Sequence, residues 1–195
     1  QADAAVPSEI VRQQHGLERF LLHVGTLQPR KNIPVLIEAF ARQDDPTLKL
    51  LLVGGKGWLY DDIFRQVQAL GVADRVIFTG YVPDKDLPLW YNAAELLVFP
   101  SVYEGFGLPV VEAMACGTPV IASNSSSIPE AVGEAGLMFA PNDVELLARQ
   151  MTAVLTDAAL HHKLRQQGLQ HAQTFSWERA GRETAVVYQR ALYTE

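Results

Sequence analysis

Two carboxylates and two glycines lie close together in the stretch from Ser101 to Glu112. Glu104 comes directly before Gly105, Gly107 follows, and Glu112 is placed in the helix that the sequence predicts next. The free backbone N–H groups at a helix start, with the positive end of the helix dipole, attract anions and hydroxyl oxygens. The pattern therefore predicts that a ligand lying across this helix start could contact both carboxylates.

The same stretch also has an explanation that involves no ligand. A Gly-x-Gly turn before a helix often serves only to let a strand and a helix pack closely, and a glutamate on a helix is usually solvated. Taken alone, the stretch leaves the binding site and the packing turn open as alternatives.

Two adjacent cations, Arg30 and Lys31, follow the first predicted strand. Such a pair can bind a diphosphate, because arginine forms two parallel hydrogen bonds to it and lysine adds a point charge. The alternative is an ordinary solvated loop.

Glycine-rich loops follow the other predicted strands. Gly25 ends the first strand, and Gly54 opens a Gly-Gly-Lys-Gly run that lets the backbone approach a ligand closely. This run lacks the spacing of a phosphate-binding Walker loop, and no stretch completes the G-x-G-x-x-G pattern of a nicotinamide site. The loop Gly80–Pro83 could offer backbone groups to the edge of a nucleotide base.

Metal and triad chemistry have little support. Asp84 and Asp86 could hold a divalent ion, but they stand where a helix is predicted to begin, so helix capping explains them more simply. The five histidines show no spacing typical of zinc ligands or of a catalytic triad, and His23 is expected to be packed within a strand. The single cysteine, Cys116, lies among small residues and is expected to pack.

The elements that would position these residues alternate between strand and helix. Short apolar runs predict buried strands, and apolar residues at helical spacing predict helices. Strands are predicted at residues 20–24, 48–53, 75–78, 95–99, 118–122 and 137–139, with helices at 8–15, 32–40, 60–70, 84–94 and 110–116 and another starting at Ser127. From Asp143 the chain is predicted to be helical, with breaks at Gly168 and at Phe175–Trp177; Asn32 and Ser176 are predicted N-caps.

This alternation favours a mostly parallel sheet built from right-handed β-α-β units. In such a sheet the loops at the carboxyl ends of the strands share one edge, and ligands bind where the strand order reverses. We therefore expect the loops after Gly25, Gly54, Gly80 and Ser101 to lie at one edge.

Composition limits the function classes. The 195 residues are 48% hydrophobic, enough for a full core in one soluble domain or in a large half of a two-domain protein. The net charge of −6 without a basic cluster argues against nucleic acid as a partner. One cysteine cannot form an internal disulfide, and no apolar run reaches the length of a membrane span. The start at Gln1 instead of methionine suggests a processed chain or an excised piece.

Two motifs carry a resemblance to a known family. Glu104-Gly-Phe-Gly-Leu-Pro-Val-Val-Glu112, together with Val24-Gly-Thr-Leu-Gln-Pro-Arg-Lys-Asn32, resembles the carboxyl-terminal domain of the retaining GT-B glycosyltransferases of group 1 (GT4). The similarity extends over nearly the whole chain from about residue 18. It implies an α/β fold that is one half of a GT-B enzyme: a Rossmann-like parallel sheet of about six strands with helices on both faces and a helical carboxyl-terminal segment.

The resemblance also implies a role for each site residue. Glu104 would be the catalytic residue beside the donor sugar, Glu112 would bind the ribose hydroxyls, and Arg30 with Lys31 would hold the diphosphate. The remaining donor-binding positions would act mainly through backbone groups or, for the valine, beside the base: Gly25, Gly54, Val82, Gly105, Phe106, Gly107 and Leu108. Many family members have arginine where this chain has Thr26, so Arg30 is expected to supply that guanidinium.

By the same resemblance, the chain is expected to be a single donor-binding domain, residues 1–195, of a hexosyltransferase. The donor would be a nucleoside diphosphate sugar, used without a metal or other cofactor, and the acceptor a saccharide or a lipid-linked molecule bound by an amino-terminal domain that this chain lacks. The chain alone would bind donor weakly and transfer nothing, and its last helix, with Trp177 and Tyr188, would pack toward the other domain. The expected location is cytoplasmic, at or near the inner face of the membrane.

Two other functions stay open at this point. One is a stand-alone nucleotide-binding or interaction module that associates with a separate acceptor-binding subunit. The other is a GT-B nucleotide-sugar epimerase, against which the spacing of Glu104 and Glu112 argues. The base, the sugar, the acceptor and the oligomeric state are not determined by the sequence.

Overall fold

Six parallel strands form one sheet in the order β3-β2-β1-β4-β5-β6. A computed structural model describes residues 9, 11, 16–55, 57 and 61–193. The strands are β1 (Phe20–Val24), β2 (Lys49–Val53), β3 (Val76–Gly80), β4 (Leu96–Phe99), β5 (Val120–Ser123) and β6 (Leu137–Phe139). All six predicted strands are confirmed, with bounds within two residues of those expected.

Helices connect the strands and complete the carboxyl-terminal segment. In chain order they are α1 (Ile33–Ala41), α2 (Asp61–Ala69), α3 (Leu87–Ala93), α4 (Leu108–Ala115), α5 (Ile128–Val132), α6 (Val144–Thr156), α7 (Ala158–Ala172) and α8 (Trp177–Tyr193). A short 3-10 helix, Pro29–Lys31, lies between β1 and α1. No described helix is long and apolar enough to cross a membrane.

The sheet is covered on both faces, as the continuous apolar character of its central strands requires. All five residues of β1 are buried. One core includes Phe40 of α1 and Leu147 of α6, and the other includes Trp90 of α3, Val110 of α4 and Ile128 of α5. The cores hold the sheet rigid, so that the loops at its carboxyl edge have a fixed base.

The strand order reverses between β1 and β4. Leu22 of β1 pairs with Leu51 of β2 on one side and with Leu97 of β4 on the other. The connections after β1 and after β4 lead to opposite sides of this point, which opens a crevice between the two loops. The crevice therefore lies between the loop that carries Arg30 and Lys31 and the loop that carries Glu104.

The predicted helix start at Asp84 is wrong. Asp86 N–H donates to Pro83 O (2.8 Å) in a turn, and α3 begins only at Leu87. Pro88 lies in the first turn of α3, where its fixed φ favours the helix start. Asp86 occupies the N-cap position without a side-chain capping bond, so capping does not explain the aspartate pair.

Asn32 occupies the N-cap position of α1, but its side chain does not cap the helix. Its backbone is left-handed (φ 53°), and its Nδ2 donates to Pro100 O (3.2 Å) and Pro141 O (2.7 Å). Asparagine tolerates this backbone conformation better than most residues. The side chain thus ties the segment after β1 to the segments after β4 and β6, which is a tertiary role that the cap prediction missed.

Gly168 does not break the carboxyl-terminal helix, contrary to the prediction. It lies buried inside α7, where an added Cβ would stand 3.2 Å from Cγ of Met114 on α4. The break occurs instead at Asp157, whose Oδ1 accepts from Ala159 N–H (2.9 Å) and Leu160 N–H (3.0 Å). Glycine is used here for close helix packing and not for a turn.

The break before the last helix is confirmed. Ser176 Oγ accepts from Arg179 N–H (3.1 Å), as an N-cap does. The helix predicted at residues 8–15 falls mostly on residues outside the described part of the chain, and so does Tyr60 at the predicted start of α2.

Candidate functional site

Arg30, Lys31 and Glu104 form an ion cluster at the strand-order reversal. Lys31 Nζ lies 2.6 Å from Glu104 Oε1, and Arg30 Nη1 lies 2.8 Å from Glu104 Oε2. The 3-10 helix after β1 supplies the cations and the loop after β4 supplies the carboxylate. Two cations against one carboxylate leave one positive charge, which suits an anionic ligand.

Lys31 is buried beneath this cluster. Its ammonium group lies 4.8 Å from the centroid of the Phe99 ring, and its Cε would stand 2.9 Å from a Cβ at Gly25. Burial lowers the pKa of Lys31, and the hydrogen bond to Glu104 opposes that shift. The predicted site residue Gly25 therefore leaves the space that the Lys31 side chain occupies.

The environment of Glu104 favours its charged form. Burial alone would raise the pKa of Glu104, but hydrogen bonds with Lys31, Ser101 and Arg30 and the charge of Lys31 outweigh burial and hold that pKa below its usual value. The carboxylate is thus kept ionised by the two cations that we expected to hold a diphosphate.

Arg30 is held by the loop that it faces. Its Nη1 donates to Tyr103 O (3.0 Å), and its own carbonyl accepts from Val102 N–H (2.8 Å). With the Gln28 amide oriented to accept, the Gln28 oxygen lies 2.8 Å from Arg30 Nε and 2.9 Å from Nη2. Thr26, at the position where many family members have arginine, is exposed. Arg30, and not residue 26, therefore supplies the guanidinium group that contacts Glu104.

A run of three serines fixes the Glu104 loop and was not predicted. Ser126 Oγ accepts from Glu104 N–H (2.9 Å), Ser127 Oγ donates to Glu104 O (2.8 Å), and Ser125 Oγ donates to Val102 O (2.7 Å). The signal was the Ser-Ser-Ser run at the carboxyl end of β5, which lies next to β4 in the sheet.

The two glycines of the loop have different roles. Gly107 is the N-cap residue of α4 and has φ 103°, a backbone conformation that favours glycine. A Cβ at Gly105 would meet nothing within 4 Å, so the fold itself does not require glycine there. Gly105 thus leaves open space directly beside Glu104.

Phe106 and Leu108 flank Gly107. The Phe106 ring contacts Phe175 edge to face, with ring centroids 5.6 Å apart, and so ties the loop to the segment before α8. Leu108 is exposed at the start of α4, where the free N–H groups of the first helical turn lie. The side chain of Phe106 is therefore structural, and the backbone of this turn is the part that a ligand could reach.

Glu112 belongs to a second group at this end of the sheet. It is exposed on α4, and its Oε2 accepts a hydrogen bond from Oη of Tyr91 on α3 (2.8 Å). Tyr91 is 1% exposed. The sequence did not predict this partner, because Tyr91 reads as one more apolar position of a helix.

Gly54 and Val82 lie in the loops after β2 and β3. A Cβ at Gly54 would stand 2.1 Å from Gly25 O, so Gly54 allows the loops after β1 and β2 to approach each other. Val82 is half-buried and packs on the core, whereas the preceding Tyr81 is 74% exposed. Both predicted residues lie at the carboxyl edge, as the topology requires.

His23 is packed within β1, as predicted. It is fully buried, its Nδ1 lies 3.1 Å from Val98 O, and its ring stacks on Phe99. Burial is the main cause that lowers the pKa of His23 to about 4, so its ring is neutral near pH 7. Among the described residues, no group of three His, Cys, Asp or Glu side chains is placed to hold a metal ion.

The fold and the ion cluster together define a class of protein. A parallel sheet of order 3-2-1-4-5-6 binds nucleotides in the crevice at the β1–β4 reversal, and in this chain that crevice carries two cations, a carboxylate and a glycine-led helix start. The chain is a Rossmann-like α/β domain with a cluster of charged residues at the reversal of its strand order.

Comparison with known proteins identifies the family. The model of the family "Glycosyl transferases group 1" matches residues 8–171. The chain is 41% identical over 181 residues to O-antigen chain mannosyltransferase B of Escherichia coli, a match that covers 91% of this chain and 47% of that protein. The chain belongs to the group 1 glycosyltransferase family, and it spans about half the length of this curated relative.

Solved structures agree with this assignment. Anabaena HepE, solved in complex with UDP-glucose, has a TM-score of 0.86 and 27% identity, covering 94% of this chain and 52% of that one. The carboxyl-terminal domain of a group 1 glycosyltransferase (LpcC) from Francisella tularensis has a TM-score of 0.77 and 25% identity. The match covers 89% of this chain and 97% of that one. The fold is one half of a GT-B fold, as predicted.

Proposed function

We propose that this chain is the donor-binding domain of a retaining hexosyltransferase that transfers a sugar from a nucleoside diphosphate sugar to a saccharide or lipid-linked acceptor. The ion cluster of Arg30, Lys31 and Glu104 at the strand-order reversal is the observation that carries the proposal. The nucleotide sugar named for Anabaena HepE supports a donor of this kind.

The proposed mechanism uses charges that are already in place. Arg30 and Lys31 exchange part of their contact with Glu104 for the diphosphate, and the amides at Gly107 and Leu108 add donors at the positive end of α4. When the glycosidic bond to the diphosphate breaks, these groups stabilise the negative charge of the leaving group without a metal.

The two carboxylates take different roles in this proposal. Glu104, released from the cations in part, accepts hydrogen bonds from hydroxyls of the donor sugar, and the open space at Gly105 gives that sugar room. Glu112, exposed on α4, binds the ribose hydroxyls. The loop that contains Val82 is placed to contact the base, and Gly25 and Gly54 shape the floor of the crevice.

The sugar and the second domain follow from the relatives. The mannosyltransferase named above makes mannose the first sugar to test. Because the chain covers 47% of that protein, we propose that the longer protein supplies an amino-terminal domain that binds the acceptor, and that residues 1–195 alone do not transfer. Metal independence and a location at the inner face of the membrane stay predictions.

Calorimetry of the chain with GDP, UDP and ADP tests donor binding. We expect one of these to bind weakly and Glu112→Ala to reduce its affinity while the chain stays folded. No binding by any of the three to a correctly folded chain would contradict the proposal.

A donor screen with the longer protein tests transfer. GDP-mannose and UDP-glucose are offered with saccharide and lipid-linked acceptors, and the release of nucleoside diphosphate and the anomer of the product are measured. Retention of the donor's anomeric configuration is expected. An epimerised free sugar nucleotide, or an inverted product, would overturn the retaining-transferase assignment.

A further inference from the structure

Tyr91 is a buried tyrosine whose hydroxyl group reaches a functional carboxylate. Its ring lies in the core between α3, α4 and the sheet, and its Oη donates to Glu112 Oε2 at 2.8 Å. A phenylalanine would fill the same core volume. The hydroxyl therefore serves Glu112 and not the packing of the core.

The hydroxyl group is held as a donor. Burial is the main cause that raises the pKa of Tyr91, and the negative charge of Glu112 and the hydrogen bond to it raise that pKa further. The phenol stays protonated across the range in which proteins are folded. Tyr91 can thus donate permanently to one oxygen of the Glu112 carboxylate.

The backbone of Tyr91 is fixed as well. Thr118 Oγ1, at the entry to β5, donates to Tyr91 O (2.5 Å), and both residues are almost fully buried. The hydroxyl position is therefore set by the core and by the sheet, while the carboxylate that it contacts faces solvent on α4.

A free glutamate on a helix surface samples several rotamers, and a ligand that uses it must immobilise it. Ordering such a side chain costs part of the binding free energy. A donor bond from a rigid neighbour reduces that cost, because the carboxylate already points in one direction before the ligand arrives. The second oxygen, Oε1, and the remaining lone pair of Oε2 stay available for hydroxyl groups.

We propose that Tyr91 is the positioning residue that orients Glu112 to accept hydrogen bonds from the two adjacent ribose hydroxyls of the nucleoside diphosphate. This inference rests on the proposed function, in which Glu112 contacts the ribose. It adds that recognition of the ribose depends on a buried hydroxyl group that does not itself touch the ligand.

A double-mutant cycle, in which the affinities of two ligands are measured, tests the proposal. Calorimetry measures the affinity of the best-binding nucleoside diphosphate among GDP, UDP and ADP, and of its 2′-deoxy form, for wild type, Tyr91→Phe, Glu112→Ala and the double variant. We expect Tyr91→Phe to weaken the ribonucleotide about threefold to tenfold, the range given by immobilising one flexible side chain. The preference for the ribonucleotide over the deoxy form should fall, and Tyr91→Phe should have no further effect once Glu112 is alanine, which cannot accept the hydrogen bond of Tyr91.

Thr152→Val is the matched control, since it removes a hydroxyl bond to buried Gln43 (3.0 Å) on the other face of the sheet. It should lower the melting temperature and keep the ribose preference. If Tyr91→Phe weakens both ligands equally, or acts equally in both backgrounds, its role is structural and the inference is overturned.

Failure of the inference can be distinguished from failure of the proposed function. If Glu112→Ala abolishes the ribose preference and Tyr91→Phe keeps it, only the positioning role is overturned. If Glu112→Ala leaves the ribose preference unchanged, the ribose contact assigned to Glu112 is wrong, and the inference falls with it. If no nucleoside diphosphate binds to the wild-type chain, the donor-binding function itself is wrong.

Discussion

At the scale of single residues, the partners that Glu104 has in the structure differ from those that it has in the proposed function. In the structure described here it is bound by Arg30 and Lys31, at 2.8 and 2.6 Å. Under the proposed function the same cations bind a diphosphate and the same carboxylate binds a sugar. In that proposal the donor must compete with the Glu104 carboxylate for the two cations.

Removing the charge of Glu104 should separate binding from transfer. We expect Glu104→Gln to bind nucleoside diphosphate more tightly, by about fivefold to tenfold, because the cations no longer share a carboxylate. Transfer by the longer protein should fall by about a hundredfold or more, since the group beside the reacting sugar has lost its charge. Calorimetry and release of nucleoside diphosphate measure the two effects. Glu18→Gln, exposed just before β1, is the control, and equal affinity of both variants would contradict this prediction.

The ion cluster should also make stability depend on pH. The pKa of Glu104 is held below its usual value in the folded chain, so its contribution is present above the unfolded pKa and is lost as the pH falls through the folded pKa. Protonated Glu104 resembles glutamine in shape and charge. We therefore expect the difference in free energy of unfolding between wild type and Glu104→Gln to be largest near pH 7 and to shrink below about pH 4. Urea unfolding at several pH values measures it, and a difference independent of pH would contradict the role of charge.

Gly105 offers a test of the ligand space. A Cβ there meets no atom within 4 Å, so we expect Gly105→Ala to change the free energy of unfolding by less than about 0.5 kcal/mol. Affinity for the nucleotide sugar should nevertheless fall by about tenfold, since the added methyl group enters the space beside Glu104. Gly107→Ala is the contrasting variant, because its φ of 103° makes alanine strained and should lower stability itself. Unchanged affinity in Gly105→Ala would show that no ligand approaches this position.

At the scale of elements, the loops of the site are fixed by neighbours and not by their own sequences. Asn32 joins the segment after β1 to those after β4 and β6, and the serines at 125–127 join the segment after β5 to the Glu104 loop. The serine contacts join the loops of the neighbouring strands β5 and β4, whereas Asn32 reaches both the loop of the neighbouring strand β4 and that of β6, two strands further along the sheet. The helix start of α4 is thus held at the crevice by several loops at once.

Two helix glycines should respond in opposite ways to the same substitution. Gly168 of α7 packs against Met114, whereas a Cβ at Gly181 of α8 meets nothing within 4 Å. Gly168→Leu should lower the free energy of unfolding by about 1–3 kcal/mol through overpacking. Gly181→Leu should raise it slightly, because leucine has the higher helix propensity. Thermal and urea unfolding compare the two variants, and similar effects would show that α7 and α4 do not pack as described.

At the scale of the whole molecule, the last helix presents an apolar surface. Trp177, Tyr188 and Leu192 are 82%, 66% and 78% exposed and lie on one side of α8, given the helical period of about 3.6 residues. The resemblance implies that the last helix packs toward the second domain of the longer protein. The chain covers 47% of its curated relative, which leaves room for such a domain there.

Tryptophan fluorescence tests that packing. Trp177 is 82% exposed and Trp90 is 7% exposed, so in the isolated chain we expect acrylamide to quench a component that Trp177→Phe removes. In the longer protein, packing of a second domain on α8 would protect the same component and shift it to shorter wavelength. Equal quenching of that component in the chain and in the longer protein would contradict the packing of α8 on the second domain.

The sequence by itself determined the order of the elements and the family. Apolar runs long enough for a strand predicted all six strands, because strands buried on both faces must be apolar throughout. The spacing of Glu104 and Glu112 and the motif that ends at Asn32 predicted the family, because both are local in sequence. Local signals also gave three wrong predictions: a helix start at Asp84, a side-chain cap at Asn32 and a helix break at Gly168. Residues that often cap or break helices also make tertiary contacts, and their spacing in the sequence does not reveal these contacts.

Only the tertiary structure decided which groups meet. Lys31 and Glu104 are 73 positions apart, and their contact depends on β1 and β4 being neighbours in the sheet. Tyr91 and Glu112 meet because α3 and α4 pack on the same face, and no periodicity distinguishes a core tyrosine with a partner from one without. The two carboxylates could thus be predicted from local motifs. Their charge partners and their orientation depend on strand order and helix packing, because these bring together residues that are distant in the chain.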